Sequence, residues 1–146
     1  GMLWLLRVGI LLAIAALRAA HIDVGSSIFI GGGAVFHQFL RIGDFCVVQG
    51  NGSFSKDIPH YCKAQRINRL TGLNVIGLRR QGFSTEERGA IKDLFQLLFS
   101  SGLNLSQAVR EAAAKDWPEK ARRLLEFVQA PSKKGVCPVR SGREDD

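Results

Sequence analysis

Hydrophobic positions between residues 24 and 54 recur at an interval of six. An aliphatic or aromatic residue stands at each of Val24, Ile30, Phe36, Ile42, Val48 and Phe54. Four residues after each of these comes a second position of buried type: Ile28, Ala34, Leu40, Cys46, Gly52 and Ile58. A period of six fits neither an α-helix nor an alternating β-strand. It fits a coil with three flat sides of six residues each, which stacks into a parallel β-helix.

Glycine follows three of the first-series positions, at Gly25, Gly31 and Gly43. We expect the first residue of each hexad to point inward. The glycine beside it is expected to let the chain turn the corner without a clash of its Cβ atom. An ordinary β-meander with regular turns is the alternative to the coil.

The first twenty residues are almost entirely apolar but do not share the phase of the repeat. Counting back six residues from Val24 gives Arg18, an unsuitable inward residue. Arg7 lies in the middle of the apolar run, where a charge costs about 2.5–3.5 kcal/mol on membrane-insertion scales. We therefore expect no stable membrane span. The prediction for residues 1–20 is a degenerate or partial coil, with a helix as the alternative.

The repeat is expected to end at Pro59, because proline removes a backbone donor and bends the chain off the coil. Coils of the β-helix are thus predicted over 21–59, and a basic connector rich in turn residues over 60–83. From Ser84 the hydrophobic period becomes helical, which predicts a domain of about three helices over 84–140. The charged residues 141–146 are expected to be frayed.

Local signals place the three helices. Ser84 and Glu87 form a capping box that starts the first helix, and Gly102 is a suitable stop. The second is predicted to run from Ser106 to about Lys115, and the third to open at Pro118. The predicted inward positions are Ile91, Leu94, Phe95 and Leu98 in the first helix, Val109, Ala112 and Ala113 in the second, and Ala121, Leu124, Leu125 and Val128 in the third.

The composition indicates the net charge of the protein and the cellular compartment in which it is expected. Hydrophobic residues make up 46% and charged residues 23%, a globular balance. The net charge of +7 favours an anionic partner, whether nucleic acid, phosphate groups, an acidic protein or a membrane surface. The three cysteines are odd in number and widely spaced, so they form no zinc-type pair. They indicate reduced thiols in a cytoplasmic protein.

Several segments resemble one family of hexapeptide-repeat transferases. They are H-I-D-V-G from His21, G-G-G-A-V-F-H-Q-F-L-R-I-G from Gly31, and G-L-N-V-I-G-L-R-R-Q-G-F-S from Gly72, continued by S-G-L-N-L from Ser101 and S-K-K-G from Ser132. The chain is similar over about residues 21 to 140 to the acyl-carrier-protein–UDP-N-acetylglucosamine O-acyltransferases of lipid A biosynthesis. The fold implied is a left-handed parallel β-helix, here of about two to three coils, followed by the helical domain.

The resemblance also implies a reaction and its partners. Members transfer a 3-hydroxyacyl chain from acyl carrier protein to the 3-hydroxyl of UDP-N-acetylglucosamine, and they work as homotrimers with active sites between neighbouring coils. A neutral histidine suits the general base, a backbone N–H can stabilise the oxyanion, and arginines can bind the diphosphate. No metal, cofactor or nucleic acid is implied.

The family's site residues transfer to matching positions of this sequence. His21 matches a histidine near the acyl donor, and the backbone of Ala20 matches the oxyanion position. The implied substrate-binding residues are His21, His37, Gln38, Asn74 and Arg80. The structural alternatives are a corner role for His37, a structural or exposed role for His21, and a solvated pair for Arg79 and Arg80.

The family's general base lies one coil before His21, in an A-H-x-x-H-D segment that nothing in this chain matches. The only histidines are His21, His37 and His60. We therefore expect a family member that lacks its catalytic base, a fragment of the enzyme. The alternatives are a catalytically inactive truncated hexapeptide-repeat protein and, in another class, a basic binding module.

Overall fold

A three-sided coil forms the first part of the molecule. The computed structural model describes residues 15–139. Six two-residue strands form the sides: β1 Asp23–Val24, β2 Phe29–Ile30, β3 Val35–Phe36, β4 Arg41–Ile42, β5 Val47–Val48 and β6 Ser53–Phe54. They pair in parallel as β1 with β4, β2 with β5 and β3 with β6. Each partner is eighteen residues away, which is three sides of six, so the parallel β-helix is confirmed.

Both predicted series of side chains face the interior of the coil. In the first series Ile42, Val48 and Phe54 are at most 2% exposed, whereas Val24, Ile30 and Phe36 are half-buried. In the second series Leu40, Cys46 and Ile58 are fully buried. The ring of Phe36 stacks on that of Phe54 with centroids 5.5 Å apart. Because apolar burial is the main stabilising term in folding, this inner column holds successive coils together.

The explanation predicted for the glycines is wrong. The corners lie elsewhere, at a second set of positions six residues apart with positive φ: His21, Ser27, Gly33, Phe39, Phe45 and Asn51. Gly25, Gly31 and Gly43 are absent from the left-handed region. At Gly31 an added Cβ would collide with the backbone N of Gly50 on the next coil, and Gly43 meets the N of His60 in the same way. These glycines permit close stacking of coils.

The coil continues past Pro59, contrary to the expectation that it ends there. Ile58 bridges in parallel to Ile42, and β7, Cys62–Gln65, pairs in parallel with β5. The Val47–Lys63 register spans sixteen residues instead of eighteen, so this turn is two residues shorter. Proline is tolerated because it follows the ladder bond from the Ile58 N–H to the Arg41 carbonyl (2.9 Å).

The predicted connector contains regular structure. Strand β7 turns back into the antiparallel β8, Arg69–Leu73, through a turn with positive φ at Arg66 and Asn68. The sheet then has the order β2-β5-β7-β8. A short helix α1, Val75–Arg80, follows. The hairpin was not predicted from the sequence. Only alternate residues of β7 are buried, and polar or cationic residues stand between them.

Three helices follow, close to their predicted positions. Helix α2 spans Thr85–Phe99 and begins with the predicted capping box of Ser84 and Glu87. Helix α3 spans Leu105–Ala113 and begins one residue before the predicted start, because Asn104 and Gln107 form its capping box. Helix α4 spans Glu119–Gln129 after Pro118.

The inward face of α2 matches the prediction, whereas α3 and α4 differ from it at five positions: Ala108, Val109, Ala113, Phe127 and Val128. The fully inward side chains are Ile91, Leu94, Phe95 and Leu98 in α2, Ala108 and Ala112 in α3, and Ala121, Leu124, Leu125 and Phe127 in α4. Val109 and Val128 are half-buried, as partners of this core. Ala113, predicted to be inward, is exposed because α3 ends there.

A final extended segment ties the helical part back to the coil. Val136 bridges in parallel to Asp57, and Val139 bridges in parallel to Leu70. The Asp57 carboxylate, 1% exposed, accepts hydrogen bonds from the Arg41 backbone N–H and Nε, both 2.9 Å, and from the Ser132 hydroxyl, 2.6 Å. The domain predicted over 84–140 is thus not helical throughout, because its last residues extend the coil.

At the other end, residues 15–19 are helical. A partial coil is therefore wrong for these five residues, and the helical alternative holds for them. The predictions for 1–14 and for the tail 141–146 lie outside the described residues. Among residues 15–139, no helix combines the length and the apolar character needed to cross a bilayer.

Candidate functional site at the coil corners

The predicted site residue His21 lies at an exposed corner of the coil, beside Phe39 and Lys133, which were not among the predicted site residues. His21 and Phe39 are eighteen residues apart, so they occupy the same corner in successive coils, and both have positive φ. Their rings stack with centroids 5.5 Å apart and planes inclined by 14°. The ammonium of Lys133 lies 4.6 Å from the Phe39 ring centroid, a cation–π contact. We call His21, Phe39 and Lys133 the Phe39 corner.

His37 and Gln38 lie on the approach to the Phe39 corner, and both are exposed. The backbone N–H of His37 donates to the Phe54 carbonyl at 2.9 Å, which fixes the main chain beside β3. The two side chains therefore project from a rigid backbone toward the solvent. This arrangement is suited to contacting a ligand on the outer surface of the coil.

The backbone donor of Ala20 is occupied. Its N–H donates to the Ala16 carbonyl at 3.1 Å, at the end of the helical residues 15–19. A free N–H directed at a substrate oxygen is what an oxyanion contact requires. In the described structure this donor serves the helix instead, and the oxyanion role stays a prediction.

Asn74 has structural contacts at both ends of its side chain. Its Oδ1 accepts from the Gly77 N–H at 3.1 Å and caps α1, while its Nδ2 donates to the Phe45 carbonyl at 2.9 Å. Its backbone N–H donates to the Tyr61 carbonyl at 2.7 Å. Asn74 thereby fixes the start of α1 against the corner formed by Phe45 and Tyr61. A substrate contact for it stays a prediction.

Arg80 is exposed in the last turn of α1. It lines a shallow cavity of about 350 Å3 with Arg79 and Ile76. Two adjacent guanidinium groups without an ion-pair partner among residues 15–139 are suited to a phosphate-bearing ligand. Because α1 is fixed at the Phe45 and Tyr61 corner, the candidate residues of one chain occupy two different corners.

A polar cluster that the sequence did not reveal lies between the coil and α4. Asp44 Oδ1 accepts from the Ser26 N–H at 2.8 Å, and Oδ2 contacts Arg123 Nη2 at 2.5 Å. The Asp44 N–H donates to His60 Nδ1 at 2.7 Å. Burial opposes ionisation of Asp44, but the hydrogen bonds from Ser26 and Arg123 outweigh it and lower its pKa. We call Asp44, His60 and Arg123 the coil–α4 cluster.

His60 is held as a neutral acceptor in this cluster. Burial lowers its pKa, and the neighbouring Asp44 carboxylate only partly offsets that effect. Its ring also packs edge-on against Phe127 with centroids 5.0 Å apart. Residues 44 and 60 are sixteen apart, so the shortened turn brings them together. A strict eighteen-residue repeat would not have paired them.

The three thiols are buried and unreactive. Burial raises the pKa of Cys46 and of Cys137 to about 12, and it raises that of Cys62 well above its usual range. A thiol acts as a nucleophile through its thiolate. Within the described part of the chain, no group of three His, Cys, Asp or Glu side chains is positioned to hold a metal ion.

The chain is similar to known acyltransferases over most of its length. The family described as UDP N-acetylglucosamine O-acyltransferase, domain 2, matches residues 57–137. An acyl-(acyl-carrier-protein)–UDP-N-acetylglucosamine O-acyltransferase of Campylobacter concisus is 31% identical over 137 residues, covering 92% of this chain and 51% of the relative. Its namesake from Burkholderia orbicola is 35% identical over 139 residues, covering 89% of this chain and 52% of the relative.

Solved structures give the same result. The UDP-N-acetylglucosamine acyltransferase of Bacteroides fragilis superimposes with a TM-score of 0.73 at 34% identity, covering 79% of this chain and 46% of that one. That of Campylobacter jejuni gives a TM-score of 0.74 at 26% identity, over 82% and 47%. This chain spans about half the length of the relatives it matches. The family match over residues 57–137 shows that the chain belongs to the UDP N-acetylglucosamine O-acyltransferase family.

Proposed function

We propose that this chain is the C-terminal portion of an enzyme that acylates UDP-N-acetylglucosamine in lipid A biosynthesis. The acyl donor is a 3-hydroxyacyl chain on acyl carrier protein, and the acceptor is the 3-hydroxyl of the sugar. The observation that carries the proposal is the family match over residues 57–137, which is adjoined by the exposed His21, His37 and Gln38 on the coil. The reaction takes place in the cytoplasm without a cofactor, and the coil is left-handed with about two to three turns in this chain.

The proposed roles follow from the chemistry of the exposed side chains. His37 and Gln38 border the nucleotide, and Arg80 binds its diphosphate as a charge-assisted donor. His21 lies near the acyl donor. In a homotrimer with sites between neighbouring coils, Arg80 of one protomer would face the Phe39 corner of the next. The separation of the two corners within one chain supports an assembled site.

The general base is proposed to be missing from this chain. His60 is unsuited to that task, because its Nδ1 already accepts the Asp44 N–H and its ring is packed on Phe127. His21 and His37 are assigned to binding. A base must be within hydrogen-bond reach of the hydroxyl that it deprotonates. The chain alone is therefore expected to bind substrate weakly and not to turn it over.

The test compares the isolated chain with a chimera. The full chain is assayed with 3-hydroxyacyl carrier protein and UDP-N-acetylglucosamine, and no product above background is expected. In the chimera, the upstream coils of the Campylobacter jejuni relative are joined ahead of His21, and product formation is expected. Turnover by the chain alone would refute the missing base. A folded, trimeric but inactive chimera would refute the acyltransferase function.

Site variants of the chimera separate binding from folding. Arg80→Ala is expected to lower kcat/KM about 10- to 100-fold, the loss typical of a hydrogen bond to a charged group. The matched control is Arg110→Ala, an exposed arginine on α3 that is distant in sequence from both corners. It should leave kcat/KM unchanged. Equal effects of the two variants would contradict a phosphate contact by Arg80.

A further inference from the structure

A groove of about 510 Å3 lies between β8, α1 and α2. Its apolar walls come from Leu73 of β8, Val75 and Leu78 of α1, and Phe95 of α2. Its volume is in the range of pockets that bind small molecules. None of the residues predicted as substrate contacts lines it. We call it the β8–α2 groove.

A glycine keeps this groove open. Gly89 lies in the first half of α2, where glycine is disfavoured relative to alanine because its backbone loses more freedom on folding. Packing does not require it, since an added Cβ would meet nothing within 4 Å. The missing side chain therefore leaves open space along the groove.

Two cations of α2 line the same groove. Arg88 and Lys92 are one helical turn apart, so the like charges lie on one face and repel each other. Within residues 15–139 no carboxylate forms an ion pair with either, and no lining residue is acidic. Arg88 is oriented by long hydrogen bonds of 3.3 Å from Nε to the Phe83 carbonyl and from Nη2 to the Thr85 hydroxyl. Its Nη1 donates no hydrogen bond to any of the residues 15–139.

The groove also exposes apolar surface to solvent. Val75 is 51% exposed although it lines the groove, while Leu78 and Phe95 form a buried floor at 1% and 7%. An interior glycine, an unpaired like-charge pair and an exposed aliphatic wall each lower the stability of the free protein. A ligand with an apolar body and a negative head would cover the exposed Val75 and neutralise the repulsion between Arg88 and Lys92. It would also fill the space beside Gly89.

We propose that the β8–α2 groove binds a single-chain amphiphile with an anionic head, of the class of medium-chain fatty carboxylates. The chain lies along Leu73, Val75 and Phe95, and the carboxylate lies between Arg88 and Lys92. This binding goes beyond the proposed acyl transfer, because it uses none of the residues assigned to that reaction. No bond is formed or broken.

The experiment titrates the full chain with sodium decanoate below its micelle concentration, by calorimetry and by ¹⁵N–¹H correlation spectra. We expect saturable one-to-one binding, with shifts concentrated at residues 85–96. Decyltrimethylammonium carries the same tail with a cationic head, and butyrate carries the same head without the tail. Each should bind at least tenfold more weakly than decanoate. Equal binding of decanoate and decyltrimethylammonium, or no saturable binding of decanoate, would overturn the proposal.

Variants then test the location. Gly89→Leu fills the groove and should abolish decanoate binding, whereas Gly89→Ala should retain most of it with an unchanged or raised Tm. Replacing Arg88 and Lys92 together by glutamine should weaken binding at least tenfold. Arg122→Gln on α4 removes an exposed cation elsewhere and should have no effect.

Folding of every variant is checked by circular dichroism, and Lys92→Glu serves as a second charge variant if the double variant unfolds. Undiminished binding to folded Gly89→Leu would place decanoate elsewhere and overturn the assignment. The proposal would also fail if an acidic amphipathic peptide shifted residues 85–96 while decanoate did not, because the partner would then be a protein.

Discussion

At the scale of single residues, folding changes the pKa of His60. Burial lowers its pKa in the folded state, while in the unfolded chain it titrates near 6.5. Between these two values the unfolded state binds more protons, so the free energy of unfolding falls as the pH drops from about 6.5 through the lowered pKa. The coil–α4 cluster should therefore weaken in mild acid.

The variant His60→Asn tests this. Its side-chain oxygen can accept the Asp44 N–H in place of Nδ1, but it does not titrate. We expect the variant to be less stable at pH 8 by about 1–2 kcal/mol, because packing on Phe127 is lost. Between pH 7 and 5 its urea unfolding midpoint should change less than that of the parent. Parallel slopes for His60→Asn and the parent would contradict the assignment.

Asp57 is a second residue whose environment predicts a large effect. Its carboxylate is 1% exposed and forms an ion pair with Arg41 Nη2 at 2.9 Å, in addition to the hydrogen bonds from Arg41 and Ser132. Removing one partner of a buried pair leaves the other charge uncompensated. Asp57→Ala is therefore expected to lower the free energy of unfolding by about 3–5 kcal/mol.

The matched control for Asp57 is the exposed pair of Arg122 and Glu126, whose side chains are 57% and 63% exposed. Glu126→Ala should change the free energy of unfolding by less than about 0.5 kcal/mol, because solvent screens the pair. Both values come from urea unfolding curves at pH 7. A loss below 1 kcal/mol for Asp57→Ala would show that the Arg41 guanidinium finds another partner.

At the scale of elements, two neighbouring glycines test how the coils stack. At Gly31 an added Cβ would collide with the backbone of Gly50, whereas at Gly32 it would meet nothing within 4 Å, and neither has positive φ. Gly31→Ala must separate two coils, so we expect a loss of about 2 kcal/mol or more. Gly32→Ala restricts the unfolded chain and should stabilise by about 0.4–1 kcal/mol. Equal values from thermal unfolding of the two variants would refute this account of the glycines.

The elements that the sequence predicted are those with a repeated or local signal. The inner column was predictable because apolar residues such as Ile42, Val48 and Phe54 recur at every sixth position. Helix α2 was predictable because Ser84 and Glu87 form a capping box at its start. The corners were not predictable, since their residues share a conformation but no side-chain chemistry. The shortened turn leading to His60 has no second copy in the chain, so no period revealed it.

The residues of the candidate site also differ in how far the sequence could predict them. His37 and Gln38 were predicted through a resemblance, and their binding role stays a prediction; in the structure both are exposed and directly precede Phe39. The caps and bonds made by Asn74 depend on where β8 and α1 fold back, which no local pattern encodes. The coil–α4 cluster joins Asp44 to Arg123 across 79 positions of sequence, beyond the reach of spacing arguments.

At the scale of the whole molecule, the buried thiols report whether coil and C-terminal segment unfold together. Cys46 lies inside the coil and Cys137 lies in the segment that returns to it, where its N–H donates to the Asp57 carbonyl at 2.9 Å. Both, and Cys62, are fully buried. If the returning segment is part of one cooperative unit, no thiol becomes accessible before the others.

Pulse labelling with N-ethylmaleimide at pH 8 tests this cooperativity. A modified cysteine cannot repack in a fully buried site, so a molecule that opens once continues to full labelling. Across the urea transition, intact mass spectra should therefore contain molecules with no label and molecules with three, and peptide mapping should show Cys46 and Cys137 modified to the same extent. A persistent population with one label, at Cys137, would mean that the segment bearing Val136 and Val139 opens while the coil stays folded. In that case the bonds to Asp57 and Leu70 would be too weak to join the two parts into one folding unit.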